Sequence, residues 1–196
     1  MVADQRSLKA TTNSGDPGRG SRVVSVFGSS RPRPAEREYQ TAYELGKMLA
    51  VSGYTLCNGG YGGIMEASAR GAREAGGKTI GIVTEVFSRH ANPYIDQTIV
   101  EATLIDRLQK LLELGDAYVV LKGGTGTLLE LAALWEYMNK GFMPRKPAIA
   151  VGDFWTPIVD LIAQALVQEG SPEASRYVTV VASPSDCIAA LNSMLR

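Results

Sequence analysis

Short runs of β-branched and aromatic residues, interleaved with longer segments of helical periodicity, constrain this chain more than any other feature. The runs are VVSVFG (23–28), TLCN (55–58), TIGIV (79–83), TIVEAT (98–103), AYVVL (117–121), AIAV (148–151) and YVTVV (177–181). Brief apolar stretches of this kind read as strands, most of them covered on both faces. Helix candidates lie at 35–52, 63–75, 104–114, 127–140, 156–169 and 185–195. The alternation predicts an α/β fold: a Rossmann-like parallel sheet of about seven strands with helices on both faces.

With 196 residues, 45% hydrophobic and 20% charged, the chain can bury one substantial core and is short for two. Residues 22–196 are expected to form a single Rossmann-like domain. Residues 1–21, MVADQRSLKATTNSGDPGRGS, lack a hydrophobic signal-peptide centre and are expected to be disordered. Twenty Lys and Arg balance twenty Asp and Glu, so there is no basic field to attract a nucleic acid polymer or an anionic membrane. No apolar run approaches the roughly 18 residues that a membrane span needs. Cys57 and Cys187 lie far apart without a CxxC, and the single His90 has no neighbour at metal-ligand spacing. The expectation is a cytoplasmic protein with no disulfide framework, no metal and no cofactor.

In an open α/β sheet, ligands bind beyond the carboxyl ends of the strands. Small and flexible residues cluster at three such ends: Gly28-Ser29-Ser30, Gly59-Gly60-Tyr61-Gly62-Gly63 and Gly123-Gly124-Thr125-Gly126-Thr127. Glycine allows the tight turn and lets backbone amides approach a phosphate, which the helix dipole also attracts. One such loop is equally well explained as a tight turn; three on one edge favour a ligand. Neither of the longer loops completes GxGxxG, and the chain has no Walker A loop, so the pocket suits a mononucleotide or a sugar phosphate.

Two side chains near these loops carry possible chemistry. Glu130 completes the pattern Thr127-Leu128-Leu129-Glu130, in which a Thr127 cap and the glutamate satisfy each other's backbone amides. A carboxylate there can equally stabilise an oxocarbenium-like sugar or position a water. Arg107 sits at the edge of the apolar stripe Leu104, Leu108, Leu111 and Leu112, in the first turn of its helix, where a cation gains nothing from the dipole. It either snorkels to water or turns its guanidinium into the pocket. Met65, Trp135 and Met138 read as core, although Met65 is also kept among the binding candidates. Cys57 and His90 lack a catalytic partner at readable spacing. Lys122 has no pyridoxal-phosphate context and reads as a solvated lysine at a strand end.

GGYGGIMEASARGAREAGG (59–77) together with LKGGTGTLLEL (121–131) resembles the Lonely Guy (LOG) family, whose signatures are a GGxxGIMEA-type loop and PGGxGTxxE. The resemblance runs over about 23–170, with GSSRP near its start and DFWTPIVDLI near its end. It implies a homodimer or higher homo-oligomer with sites near the subunit interface. The implied reaction is hydrolysis of the N-glycosidic bond of a nucleoside 5′-monophosphate, such as a cytokinin riboside monophosphate, to free base and ribose 5-phosphate. By position, Glu130 and Arg107 match the family's essential glutamate and arginine, and Gly123, Gly124, Gly126 and Thr127 match its phosphate loop. Gly28, Ser29, Ser30, Gly59, Gly60, Gly63, Met65 and Thr125 complete the expected substrate-binding set.

Three departures accompany the resemblance. Lys122 replaces the motif's proline, Leu129 stands where many members have a second acidic residue, and Leu108 stands where a lysine is common. These changes imply a pocket that has lost charges of both signs. The family's fold also serves molybdenum cofactor carriers, so the alternative is a protein that binds a nucleotide or a phosphate-bearing pterin without cleaving it. The lysine decarboxylase label that many members carry is a third reading, one that requires pyridoxal phosphate.

Overall fold

The structure is a computed structural model that describes residues 21–87 and 90–195. The expected disordered segment therefore lies, apart from Ser21, outside the described residues.

Among the described residues, the chain forms one parallel sheet of seven strands with six α-helices. The strands are β1 (Val23–Phe27), β2 (Thr55–Asn58), β3 (Thr79–Thr84), β4 (Gln97–Glu101), β5 (Ala117–Val120), β6 (Ala148–Val151) and β7 (Val178–Val181). The helices are α1 (Arg37–Val51), α2 (Ile64–Glu74), α3 (Leu104–Leu114), α4 (Thr125–Asn139), α5 (Thr156–Gln168) and α6 (Pro184–Met194). The sheet order is β4-β3-β2-β1-β5-β6-β7, and every pairing is parallel. The Rossmann-like reading of the sequence holds.

Strand burial explains the runs. β2, β5 and β6 are buried at every residue, because helices cover both faces of the central sheet. β4, at the edge, is largely exposed and carries Gln97, Thr98 and Glu101. Val24 and Val26 pack with Leu45 and Leu49 of α1, Ile64 and Ala67 of α2, and Leu191 of α6. Phe27 points the other way, towards Leu111 of α3, Leu131 and Trp135 of α4, and Val159 of α5. Ser25 shares that second face, where its hydroxyl donates to the Leu111 carbonyl at 2.9 Å and so satisfies a polar group buried in an apolar layer.

Most element ends shift from the sequence reading by one or two residues, and one shift matters. α4 begins at Thr125, two residues earlier than expected, with Gly124 in extended conformation as its N-cap. Thr127 is thus the third helical residue, packed against Gly123, and the Thr127–Glu130 capping box that the spacing allows does not form. The flexible Gly123-Gly124 pair lets the chain enter the helix sooner than the threonine pattern indicates.

Candidate active site

The strand order reverses at β1 and β5: the chain moves outwards from β1 through β2 to one side, and from β5 through β6 to the other. A crevice opens beyond the carboxyl ends of strands at such a point. Here it is a cavity of about 810 Å³, lined by Gly28, Ser29 and Ser30 after β1, Tyr61 and Met65 after β2, Arg107 of α3, and Lys122 to Thr127 with Glu130 after β5.

The loops are tied together by backbone bonds. The Ser29 amide donates to the Lys122 carbonyl at 3.2 Å, and the Ile64 amide donates to the Ser29 carbonyl at 2.8 Å. Buried Asn58 ends β2 and holds the second loop: its carboxamide donates to the Met65 carbonyl and accepts from the Gly60 amide, each at 2.8 Å. From outside, the Asn92 carboxamide donates to the Gly60 and Tyr61 carbonyls. Gly63 adopts φ +66°, and a Cβ there would lie 2.4 Å from the Ser30 carbonyl carbon, so this turn accepts glycine alone without strain.

Of the expected binding residues, Gly28, Ser29, Ser30, Met65, Gly123, Gly124, Thr125, Gly126 and Thr127 line the cavity. Gly59, Gly60 and Gly63 do not; they shape the loop behind it. Gly59 makes room for Arg107, because a Cβ there would lie 1.6 Å from the guanidinium Nη2. α4 has no side-chain cap, so the unpaired amides of its first turn are available to an anion in the cavity.

Arg107 does not snorkel. It is 7% exposed, and its Nε donates to the Ile82 carbonyl of β3 at 2.7 Å. The guanidinium lies 5.5 Å from the centroid of the Tyr61 ring, with Nη2 3.9 Å from the Met65 sulfur. The ring itself is fixed through its hydroxyl, which accepts from the Thr84 amide at 2.9 Å. Nη1 stands 3.8 Å from Glu130 Oε1, an ion pair longer than a hydrogen bond. The Glu130 side chain is 15% exposed. Burial pushes its carboxyl up to about 7, against the opposing pull of Arg107. A carboxyl that titrates near neutrality in a glycine-lined cavity is poised for electrostatic or acid–base work.

Sequence reasoning missed several lining residues. Tyr61 carried a signal, standing between the paired glycines of GGYGG. Phe87, edge-on to Tyr61 at 5.7 Å, carried none. Lys122 is not simply solvated: it lines the cavity and pairs with Glu38 of α1 at 2.6 Å. The other two departures lie outside the cavity, correcting the expectation that both altered its charge. Leu108 packs into the core beneath α3, and Leu129 is exposed on α4. Trp135 and Met138 are core, as expected. Cys57 is buried, its thiol pushed up to about 12 by burial, and His90 lies on a separate surface cavity.

Comparison with known proteins follows this architecture. The SLOG cluster4 family model matches residues 21–187. A cytokinin riboside 5′-monophosphate phosphoribohydrolase of Mycobacterium tuberculosis is 34% identical over 180 residues, covering 87% of this chain and 94% of that protein. One of the same name from Rhodococcoides fascians is 28% identical over 195 residues, covering 96% and 98%. Among solved structures, the molybdenum cofactor binding protein of Rippkaea orientalis superposes with a TM-score of 0.71 at 26% identity, covering 91% of this chain and 99% of that one. The chain therefore belongs to the SLOG cluster4 family, the Lonely Guy (LOG) group that its two glycine motifs resemble.

Proposed function

We propose that the protein hydrolyses the N-glycosidic bond of a nucleoside 5′-monophosphate, releasing free base and ribose 5-phosphate. One observation carries this reading: a carboxyl titrating near 7 stands 3.8 Å from a buried guanidinium, in the same cavity as the uncapped start of α4. The phosphoribohydrolase names of the Mycobacterium and Rhodococcoides relatives support it.

The 5′-phosphate binds at the first turn of α4, where the dipole and free amides favour a dianion. The ribose then lies towards Glu130. As the bond from C1′ to the base nitrogen breaks, its electron pair leaves with the base and positive charge grows on the sugar. The Glu130 carboxylate stabilises that charge and orients a water whose oxygen adds to C1′. The proton released by the water passes through Glu130 to the departing base. Arg107, held by Ile82, faces the carboxylate and favours its ionised form against the effect of burial. Tyr61, Met65, Phe87 and Leu104 supply apolar surface for the base.

We further propose a cytoplasmic homodimer. Both cysteines are free and buried, which suits a reducing compartment. No helix among the described residues is long and apolar enough to cross a membrane. Val100, Leu104, Ile105, Leu128 and Leu129, on β4, α3 and α4, are large apolar residues left exposed, and a second subunit would cover them.

The likeness to a molybdenum cofactor binding protein favours a second reading, a carrier that binds without cleaving. A panel of nucleoside 5′-monophosphates, including isopentenyladenosine monophosphate, separates the two when free base is assayed chromatographically. Hydrolysis predicts base release that falls at least about 100-fold in Glu130→Gln and Arg107→Ala. Binding without release across the panel would establish the carrier.

A further inference from the structure

We infer that Lys122 is a specificity-determining residue for the 5′-phosphate, shared between Glu38 and the phosphate of the ligand. The inference rests on the nucleotide reading above.

Lys122 follows β5 and precedes the glycine loop that opens α4. Its carbonyl accepts from Ser29, so its backbone is anchored between the two loops expected to meet the phosphate. Its side chain is 52% exposed and lines the cavity, with Nζ 2.6 Å from Glu38 Oε1 and 5.8 Å from the centroid of the Phe154 ring. Among the described residues, three cations line that cavity, Arg31, Arg107 and Lys122, against the carboxylates of Glu36, Glu38 and Glu130. Arg107 is committed to Ile82 and Glu130. Arg31 follows the loop after β1, whereas Lys122 directly precedes the glycine loop that opens α4 and carries three donors on a flexible stem that can be redirected.

Its bond to Glu38 is a solvent-exposed pair, the kind that costs little to exchange. A phosphate monoester near pH 7 carries almost two negative charges on three strong acceptor oxygens, more than one carboxylate offers. The exchange therefore favours the ligand. A cavity of about 400 Å³ on the other side of the Lys122–Glu38 pair, lined also by Arg37, opens on a helix start that is already capped. There α6 begins with Ser183 already accepting from the Asp186 amide, and Asp186 adds negative charge to that turn. α4 has no such cap.

Calorimetric titration of the protein with ribose 5-phosphate and with ribose tests this without depending on the base or on turnover. Lys122→Ala is expected to weaken ribose 5-phosphate binding about tenfold, the effect of losing one exposed charge-assisted contact, and to leave ribose unchanged. Lys122→Arg is expected to restore most of the affinity. Glu38→Gln is expected to tighten ribose 5-phosphate binding, because it frees the lysine. These opposite signs separate a binding role from a structural one, since breaking a purely structural pair from either side has the same effect on affinity. If Lys122→Ala binds like the parent, or if both variants shift affinity in one direction, the inference is overturned while the hydrolase reading stands. Failure of the parent protein to bind ribose 5-phosphate would overturn the phosphate site and this inference together.

Discussion

Glu130 illustrates how burial sets both chemistry and stability at a single residue. Its carboxyl is raised from an ordinary 4.5 to about 7, because the cavity withholds water that Arg107, at 3.8 Å, only partly replaces. In the unfolded chain the group ionises near its ordinary value, so between about 4.5 and 7 the folded state binds more protons. Stability associated with Glu130 is therefore complete at low pH and is lost as pH rises through about 7. A rise of this size corresponds to about 3 kcal/mol. Glu130→Gln, which cannot ionise, is expected to gain stability relative to the wild type by up to this amount between pH 5 and pH 8, measured by urea unfolding. A difference that stays constant with pH would mean that the carboxyl ionises normally. The same titration predicts an acidic limb of kcat/KM near pH 7, well above the ordinary carboxylate range.

At the scale of elements, the segment from the end of β2 to the start of α2 does two jobs, which Gly59 and Gly63 separate. Gly59 faces the tip of a long side chain, Arg107, which can move aside. Gly63 faces the backbone of Ser29 to Arg31 and has φ +66°, so nothing there can yield cheaply. Gly59→Ala is thus expected to lower Tm by only a few degrees while abolishing most base release, because the methyl expels the guanidinium. Gly63→Ala is expected to cost about 2–4 kcal/mol of stability and to reduce the yield of folded protein. Thermal melts beside the activity assay check both. Equal losses in the two variants would show that Gly59 is as structural as Gly63. At this scale the α4 start was misread from sequence: the threonine-to-glutamate spacing fits a capping box, but the backbone enters the helix at Thr125. Spacing records which bonds are possible, and the glycine pair preceding it decides which of them form.

For the whole molecule, the sheet order puts three loops on one edge. Val100, Leu104, Ile105, Leu128 and Leu129, on β4, α3 and α4, stay exposed although they are large and apolar. The protein is expected to sediment at about twice its 21.0 kDa chain mass. Ile105→Glu combined with Leu129→Glu is expected to shift it to the monomer, since burying two unpaired carboxylates opposes association. Sedimentation of the double variant as a dimer would move the interface elsewhere.

The alternation of strand and helix, the three glycine loops, and the motifs surrounding Arg107 and Glu130 were legible in the linear sequence, because periodicity and turn chemistry are local properties. Only the tertiary structure decided what those residues meet. That Gly59 yields its space to Arg107, that the guanidinium turns inwards onto Ile82 and Tyr61, and that Lys122 reaches Glu38 all depend on contacts between elements distant in sequence. The neutral-range titration of Glu130 has the same origin. Desolvation is a property of the enclosing cavity, and β1, β2, β3, α3 and α4 must all be in place before that cavity exists.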